Sequence, residues 1–386
     1  MKEVCSKKRN KSDIANGLKE ECENVNQKVM QTMLFPSKYI QGNGAIEQLP
    51  AEMARFGDRP LVLSTKSMVE TARGIIVREG KVERFNGECS EKEINRVVDL
   101  AKTYNATAIA AVGGGKVIDC CKIAADKLNL PVVIAPTIAS TDAPCSGCAV
   151  VYSEAGVFEY VYYQKHNPDV VLVDTNIIAK APARFLISGM GDGLATFFEA
   201  NSCHRSGSLN ECGGLRTITA LSIARLCMDT IFKCGRQAAC DLRNGIVSEA
   251  VEAIIEANIL LSGIGFESCG VGSAHSVHNG LTVLSETHSL YHGEKVAFGV
   301  ITGLQLYDEF NLMDEVYEFF MDVGLPVCFE DLGVGDITEE QIMAVANNCC
   351  EEGSLMYHEP YSFNPQMIAE AMKKADALGK AKKQMK

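Results

Sequence analysis

"TAIAAVGGGKVIDCCKIAADKLNLPVVIAP", residues 107–136, decides the fold. An apolar run ends at Val112 and gives way to Gly113, Gly114 and Gly115. Lys116 then opens a stretch in which Val117, Ile118, Cys121, Ala124, Ala125 and Leu128 recur at helical spacing, and a second apolar run follows from Val132. Strand, glycine turn, helix and strand, with both strands apolar throughout, predict a parallel sheet covered on both faces. The glycines let the backbone approach a ligand closely. The free amides at the helix start would face that ligand, and the helix dipole favours an anion there. This is the chemistry of a dinucleotide pyrophosphate site, although the spacing is not G-x-G-x-x-G. A tight connection with no ligand has the same pattern.

The alternation extends outward on both sides. "PLVLST", "TAIAAV", "PVVIAP" and "DVVLVDT" read as strands, and "SEKEINRVVDLAKTYN" as an amphipathic helix between two of them. "CAVVYSEAGVFEYVYYQ" reads as a hairpin turning at Glu154-Ala155-Gly156. After "DTNIIAKAPARF" the strands stop, and the segments that follow carry helical periodicity. The expected architecture is an N-terminal extension over 1–32, expected to be flexible, then an α/β dinucleotide-binding domain with a parallel sheet and a β-hairpin over 33–181. An all-α domain over 182–386 would complete it.

A chain of 386 residues is long enough for two domains and a large core. Its net charge of −12 argues against a nucleic-acid partner, which would need clustered Lys and Arg. No apolar run approaches the ~20 residues of a membrane span. The first thirty residues mix Lys with Glu and Asp and have no signal-peptide core. Sixteen cysteines, some adjacent in sequence, read as reduced thiols of a cytoplasmic protein. "CSGC", Cys145 to Cys148, has redox or metal spacing, but no second such pair follows it.

Histidine is scarce, yet four of the seven, His275, His278, His288 and His292, fall in "AHSVHNGLTVLSETHSLYHGE". Imidazole is the commonest metal ligand. Asp192, flanked by glycines in "GMGDGLATFFEA", is a candidate third ligand at the start of an amphipathic helix; capping that helix is the plainer role for an Asp there. The local pattern does not select among the four histidines. "PTIASTDAPCSG" supplies a polar loop after a strand, the usual place for a ligand in an open α/β sheet.

Eight ordered blocks from about residue 33 onward, among them "PSKYIQG", "GGGKVID", "IAPTIASTDAPCS", "GMGDGLATFFEA", "AHSVHNGLT" and "YHGEKVAFG", carry a further signal. Together they resemble the glycerol dehydrogenases of the metal-dependent group III, or iron-containing, alcohol dehydrogenase family. The resemblance implies a metal on Asp192, His275 and His292, and a pyrophosphate at Gly114, Gly115 and Lys116. Further cofactor contacts would be Thr65, Thr137, Ser140, Ser146, Cys148 and Tyr152. Asp142 and His275 would be the catalytic pair beside the substrate. His278 and His288 would not be ligands. The implied reaction is metal-dependent hydride transfer from the secondary hydroxyl of glycerol, or a similar small polyol, to NAD, giving dihydroxyacetone. Another dehydrogenase of the family, acting on a diol, a phosphorylated polyol or a hydroxy acid, is the alternative. A homo-oligomer is also implied.

Three departures from the family pattern bear on this. Thr196 stands where the broader family has a histidine four residues after the ligand Asp. That leaves three protein ligands, which favours zinc over iron. Cys148 replaces a larger apolar residue. Thr65, followed by Lys66, stands where an Asp normally binds the adenosine ribose.

Overall fold

The computed structural model describes residues 29–76, 80–307 and 310–386. Most of the expected extension, residues 1–28, lies outside them. Residues 29–32 are described and pair with the helical half: Gln31 bridges Leu215, and Thr32 N–H donates to Leu215 C=O at 2.9 Å.

Among the described residues eight strands lie within Tyr39–Asp174: β1 (Tyr39–Gly42), β2 (Pro60–Ser64), β3 (Lys81–Arg84), β4 (Ala108–Gly113), β5 (Val132–Pro136), β6 (Cys148–Tyr152), β7 (Phe158–Tyr163) and β8 (Val170–Asp174). Six form a parallel sheet in the order β1-β8-β5-β4-β2-β3, and β6 and β7 form the antiparallel hairpin. The central strands β2, β4, β5 and β8 are buried at every residue, as apolar strands covered on both faces must be. The helices of this half are α1 (Leu49–Ala54), α2 (Val69–Ile75), α3 (Glu91–Tyr104), α4 (Gly115–Leu128) and α5 (Thr175–Ala179). Ser90 caps α3 by accepting from Glu93 N–H; α3 and α4 each end on an Asn in the left-handed region, Asn105 and Asn129.

The chain leaves β2 for β3 on one side and β4 for β5 on the other. Strand order therefore reverses between β2 and β4, and ligands of open α/β sheets bind at the carboxyl ends of such a pair. Thr65 and the glycine turn lie at those two ends. Gly113 has no room for a side chain: a Cβ would stand 2.5 Å from Thr65 Cγ2.

From Ala183 onward the described chain is helical: α6 (Ala183–Ser206), α7 (Ile218–Arg243), α8 (Glu249–Glu256), a π turn (Ala257–Leu261), α9 (Ser262–Cys269), α10 (Ser273–Leu281), α11 (His292–Tyr307), α12 (Phe310–Val323), α13 (Glu339–Cys349) and α14 (Pro365–Met385). One hydrophobic core runs from Leu61 in β2 to Ala375 in α14. Among the described residues no single helix is long and apolar enough to cross a membrane.

One local expectation is corrected. Asp192, the candidate ligand, is expected at the start of a helix. Helix α6 begins nine residues earlier, at Ala183, and Asp192 lies mid-helix and buried. The glycines around it are close-approach positions, not breakers. A Cβ on Gly189 would overlap Ala139 C=O and Asn258; one on Gly191 would overlap Gly293 C=O; one on Gly193 would stand 2.8 Å from Ile231 Cδ1.

Candidate active site and metal centre

Three helices bring the site together. Helices α6 and α11 cross backbone to backbone, because a Cβ on Gly293 would overlap Ser188 C=O just as one on Gly191 would overlap Gly293 C=O. That crossing sets Asp192 beside His292, the first residue of α11. Helix α10 enters from the third side after Gly270 breaks the chain at φ +102°. The result places His292 Nε2 3.2 Å and His275 Nε2 3.4 Å from Asp192 Oδ1. One ligand atom from each residue falls within 4.8 Å of the others.

The hydrogen bonds behind these atoms fix the tautomers. Glu199, two turns beyond Asp192 on α6, accepts from His275 Nδ1 at 2.7 Å and from His275 N–H at 2.9 Å. The Nδ1 of His275 therefore carries a proton, which leaves Nε2, facing Asp192, as the atom that would bind a metal. His278 Nδ1 bonds Asn279 Oδ1 at 3.1 Å, and His278 Nε2 bonds His292 Nδ1 at 3.0 Å. With His278 donating to Asn279, its Nε2 accepts, so His292 Nδ1 carries the proton and His292 Nε2 is also a free lone pair. Burial first, then the charges of His292, Lys295 and His275, holds the His278 pKa well below the ordinary range. That keeps it neutral in this role.

This donor set fits a divalent cation. With a cation in place of a proton, two imidazole Nε2 atoms and one carboxylate can converge on it. Both oxygens of Asp192 are buried, and neither receives a hydrogen bond among the described residues. Such a carboxylate carries a cost that a cation removes. The electrostatics agree. Burial opposes charge on Asp192, but His292 and His275 outweigh it and hold its carboxyl well below the usual range. Burial likewise opposes charge on His275, but Glu199 and Asp192 raise its pKa well above the ordinary value. The cluster favours positive charge at this point, which a metal ion supplies in place of a proton.

Asp142, in the loop after β5, lies against the same cluster. Burial and then the charge of Asp192 push its carboxyl well above the usual range, while His275 and a hydrogen bond from Ser262 pull it back. Ser262 Oγ donates to Asp142 Oδ2 at 2.9 Å. His288 is elsewhere, exposed, with its Nε2 3.0 Å from Thr282 C=O.

The other expected contacts line the carboxyl end of the sheet. Gly114 caps α4 with no side chain in the way, and a Cβ on Gly115 would meet open space. Lys116 is exposed, paired with Glu88 at 2.6 Å and lying 5.6 Å over the Tyr152 ring. Thr137 N–H donates to Gly113 C=O at 3.0 Å, and Ser140 C=O faces Ser188 Oγ at 3.5 Å. Ser146 is buried and its hydroxyl is engaged within the loop, facing Ala143 C=O and Lys122 Nζ at 3.3 Å each. Cys148 is half-buried, with Sγ 3.5 Å from Ser146 Oγ. Thr65 is half-buried beside Gly113.

Sequence reasoning missed the groups that hold this loop. Lys122, 1% exposed, reaches from α4 to Ala143 C=O at 2.9 Å and Cys148 C=O at 2.5 Å. From the helical half, Asn258 in the π turn donates to Ala139 C=O at 2.9 Å, and Glu267 accepts from Gly147 N–H at 2.6 Å. Glu199 was also missed, although its seven-residue spacing from Asp192 on one helix face was a readable signal.

Comparison with known proteins agrees with this geometry. The sequence pattern described as "Iron-containing alcohol dehydrogenase" matches residues 36–175. The chain is 44% identical to a glycerol dehydrogenase of Thermotoga maritima over 92% of its own length and all of the relative's. It is also 44% identical to a glycerol dehydrogenase of Citrobacter freundii, over 91% of this chain and 98% of the relative. A crystal structure of a probable glycerol dehydrogenase from Sinorhizobium meliloti superposes with a TM-score of 0.87 at 41% identity, covering 91% of this chain and all of that one.

Proposed function

The chain belongs to the iron-containing alcohol dehydrogenase family, and on that premise we propose that it oxidises the secondary hydroxyl of glycerol to dihydroxyacetone with NAD. The convergence of Asp192, His275 and His292 beside Asp142 carries the reading.

A divalent cation held by those three residues would supply Lewis acidity, and NAD would supply the hydride acceptor. The remaining work falls to the chain's own residues. Glu199 and His278 keep the two imidazoles in the tautomer that presents Nε2 to the site. Asp142 offers an acceptor to a polyol hydroxyl next to the reacting one. The Gly114–Gly115 turn and the first amides of α4 receive the pyrophosphate, for which Lys116 would exchange its ion pair with Glu88. Thr137, Ser140, Ser146, Cys148 and Tyr152 would complete the cofactor contacts, and Thr65 would face the ribose.

Three protein ligands with an open position favour zinc. Thr65 removes the charge that repels a 2′-phosphate, so NADP should be used measurably, with NAD preferred. Residues 33–181 form the cofactor domain in this reading and 182–386 the metal domain. Fourteen free cysteines among the described residues support a reducing, cytoplasmic setting. A homo-oligomer is proposed on the family resemblance.

The test combines metal reconstitution with a substrate screen. Stripped protein is loaded with Zn²⁺ or Fe²⁺ and assayed on glycerol, a vicinal diol, a phosphorylated polyol and a hydroxy acid with each cofactor. Glycerol with NAD and Zn²⁺ should give the highest kcat/KM. A higher value on the phosphorylated polyol or the hydroxy acid would overturn the substrate assignment. His292→Ala should lose the metal and His288→Ala should keep it; the reverse would overturn the ligand set.

A further inference from the structure

Thr196 stands one helical turn after Asp192, where the broader family resemblance puts a fourth metal-binding side chain. It does not face open space. Its Oγ1 lies 2.8 Å from Ser262 Oγ, and both residues are buried. Its methyl is fixed against α9, where a Cβ on Gly265 would stand 2.5 Å from Thr196 Cγ2. Ser262 in turn donates to Asp142 Oδ2. A hydroxyl has one proton. When Asp142 is ionised, Ser262 gives its proton to the carboxylate and Thr196 donates to Ser262. With the carboxylate ionised, the order runs from Thr196 to Ser262 to Asp142.

The π turn makes this chain of bonds possible. Ser262 is the first residue after Ala257–Leu261, and Asn258 in that turn holds the same loop at Ala139 C=O. Gly263 brings α9 against the loop backbone: a Cβ there would stand 3.0 Å from Asp142 C=O. Single π turns inside helices recur at functional sites for this kind of placement. Oδ2 of Asp142 is thereby held by the protein.

We propose that Thr196 and Ser262 are positioning residues that orient Asp142 and so set the preference for a polyol over a simple alcohol. The vacated ligand position has become the anchor of a substrate-reading carboxylate. The inference rests on Asp142 touching the substrate, as assigned above. Loss of a hydrogen bond to a charged group is worth about tenfold or more in the step that depends on it. Conjugated hydroxyls strengthen one another.

The test compares kcat/KM for glycerol and for propan-2-ol, which lacks the neighbouring hydroxyl, with bound metal measured on each protein. Ser262→Ala should lower the glycerol to propan-2-ol ratio about tenfold with metal content retained. Thr196→Val, close in shape but without the hydroxyl, should lower it severalfold, and Thr196→Ser should restore it. The double variant Asp142→Asn with Ser262→Ala should lose no more than Asp142→Asn alone, as members of one network do. If both alcohols fall equally in Ser262→Ala and Thr196→Val, the role is merely structural and the inference fails. If Asp142→Asn shifts the ratio while Ser262→Ala and Thr196→Val do not, this inference fails and the reading of Asp142 stands. If Asp142→Asn leaves the ratio unchanged, both fall. Should Ser262→Ala not fold, the Thr196→Val and Thr196→Ser pair decides the same question.

Discussion

Glu199 binds no metal in the proposed set, yet it holds His275 at two points, the ring and the backbone amide. Glu199→Gln can still accept at the amide but cannot accept from Nδ1 while retaining the charge that steadies the ring. Metal affinity should fall about 10- to 100-fold, as for other carboxylates behind histidine ligands. Competition with a chromogenic chelator measures it, and an unchanged Kd would refute the role. A second residue predicts a pH dependence. Asp119 on α4 is 7% exposed; Val150 N–H donates to its Oδ2 at 3.2 Å. Burial pushes its carboxyl up to about 6, against the pull of Lys122 and of that amide. The folded state thus holds this proton to higher pH than the unfolded chain. The contribution of Asp119 is most favourable below pH about 4 and is lost as pH rises to about 6, by something on the order of 3 kcal/mol. Asp119→Asn cannot titrate. Its melting temperature relative to the wild type should climb between pH 4 and 6.5 and level off above. A flat difference across that range would show that Asp119 is not held neutral.

At the scale of elements, the site depends on how closely α6 and α11 approach. Gly293→Ala places a methyl where Ser188 C=O already sits, so the helices must separate. Both Tm and metal affinity should drop, with a stability loss of about 1–3 kcal/mol typical of overpacking. Gly115→Ala makes an instructive contrast. A Cβ there meets nothing within 4 Å, so Tm should hold, while NAD binding weakens because the methyl occupies the approach to the pyrophosphate amides. Calorimetry and an NAD titration on the two variants separate these effects. Equal Tm losses would mean that the glycine turn serves packing alone. The same glycines explain why the start of α6 is misplaced in the sequence reading. In sequence, Gly191 and Gly193 look like a helix boundary, and only the partner helix reveals that they remove side chains from a crossing.

For the whole molecule, one hydrophobic core spans sheet and helices, so the two halves should unfold together. Calorimetry should show one transition, and chelating the metal should shift all of it. A ligand present at a thousand times its Kd is worth about 4 kcal/mol. Two resolved transitions, with only one moved by the chelator, would contradict this. The legibility of the chain follows the same physics. The four fully buried strands were readable because burial on both faces makes them apolar throughout. The edge strands β1 and β3, half-buried and four residues each, carry no such signal and were passed over. The metal set came from a resemblance, since four histidines in one stretch do not rank themselves. The partnership of Thr196 with Ser262 spans 66 residues and leaves no local trace. The loop from Thr137 to Cys148 is fastened on one side to α4 through Lys122 and on the other to the π turn and α9 through Asn258, Ser262 and Glu267. The loop that carries Asp142 is thus held by both halves of the molecule at once, and a substitution in either half that loosens it should be felt at Asp142.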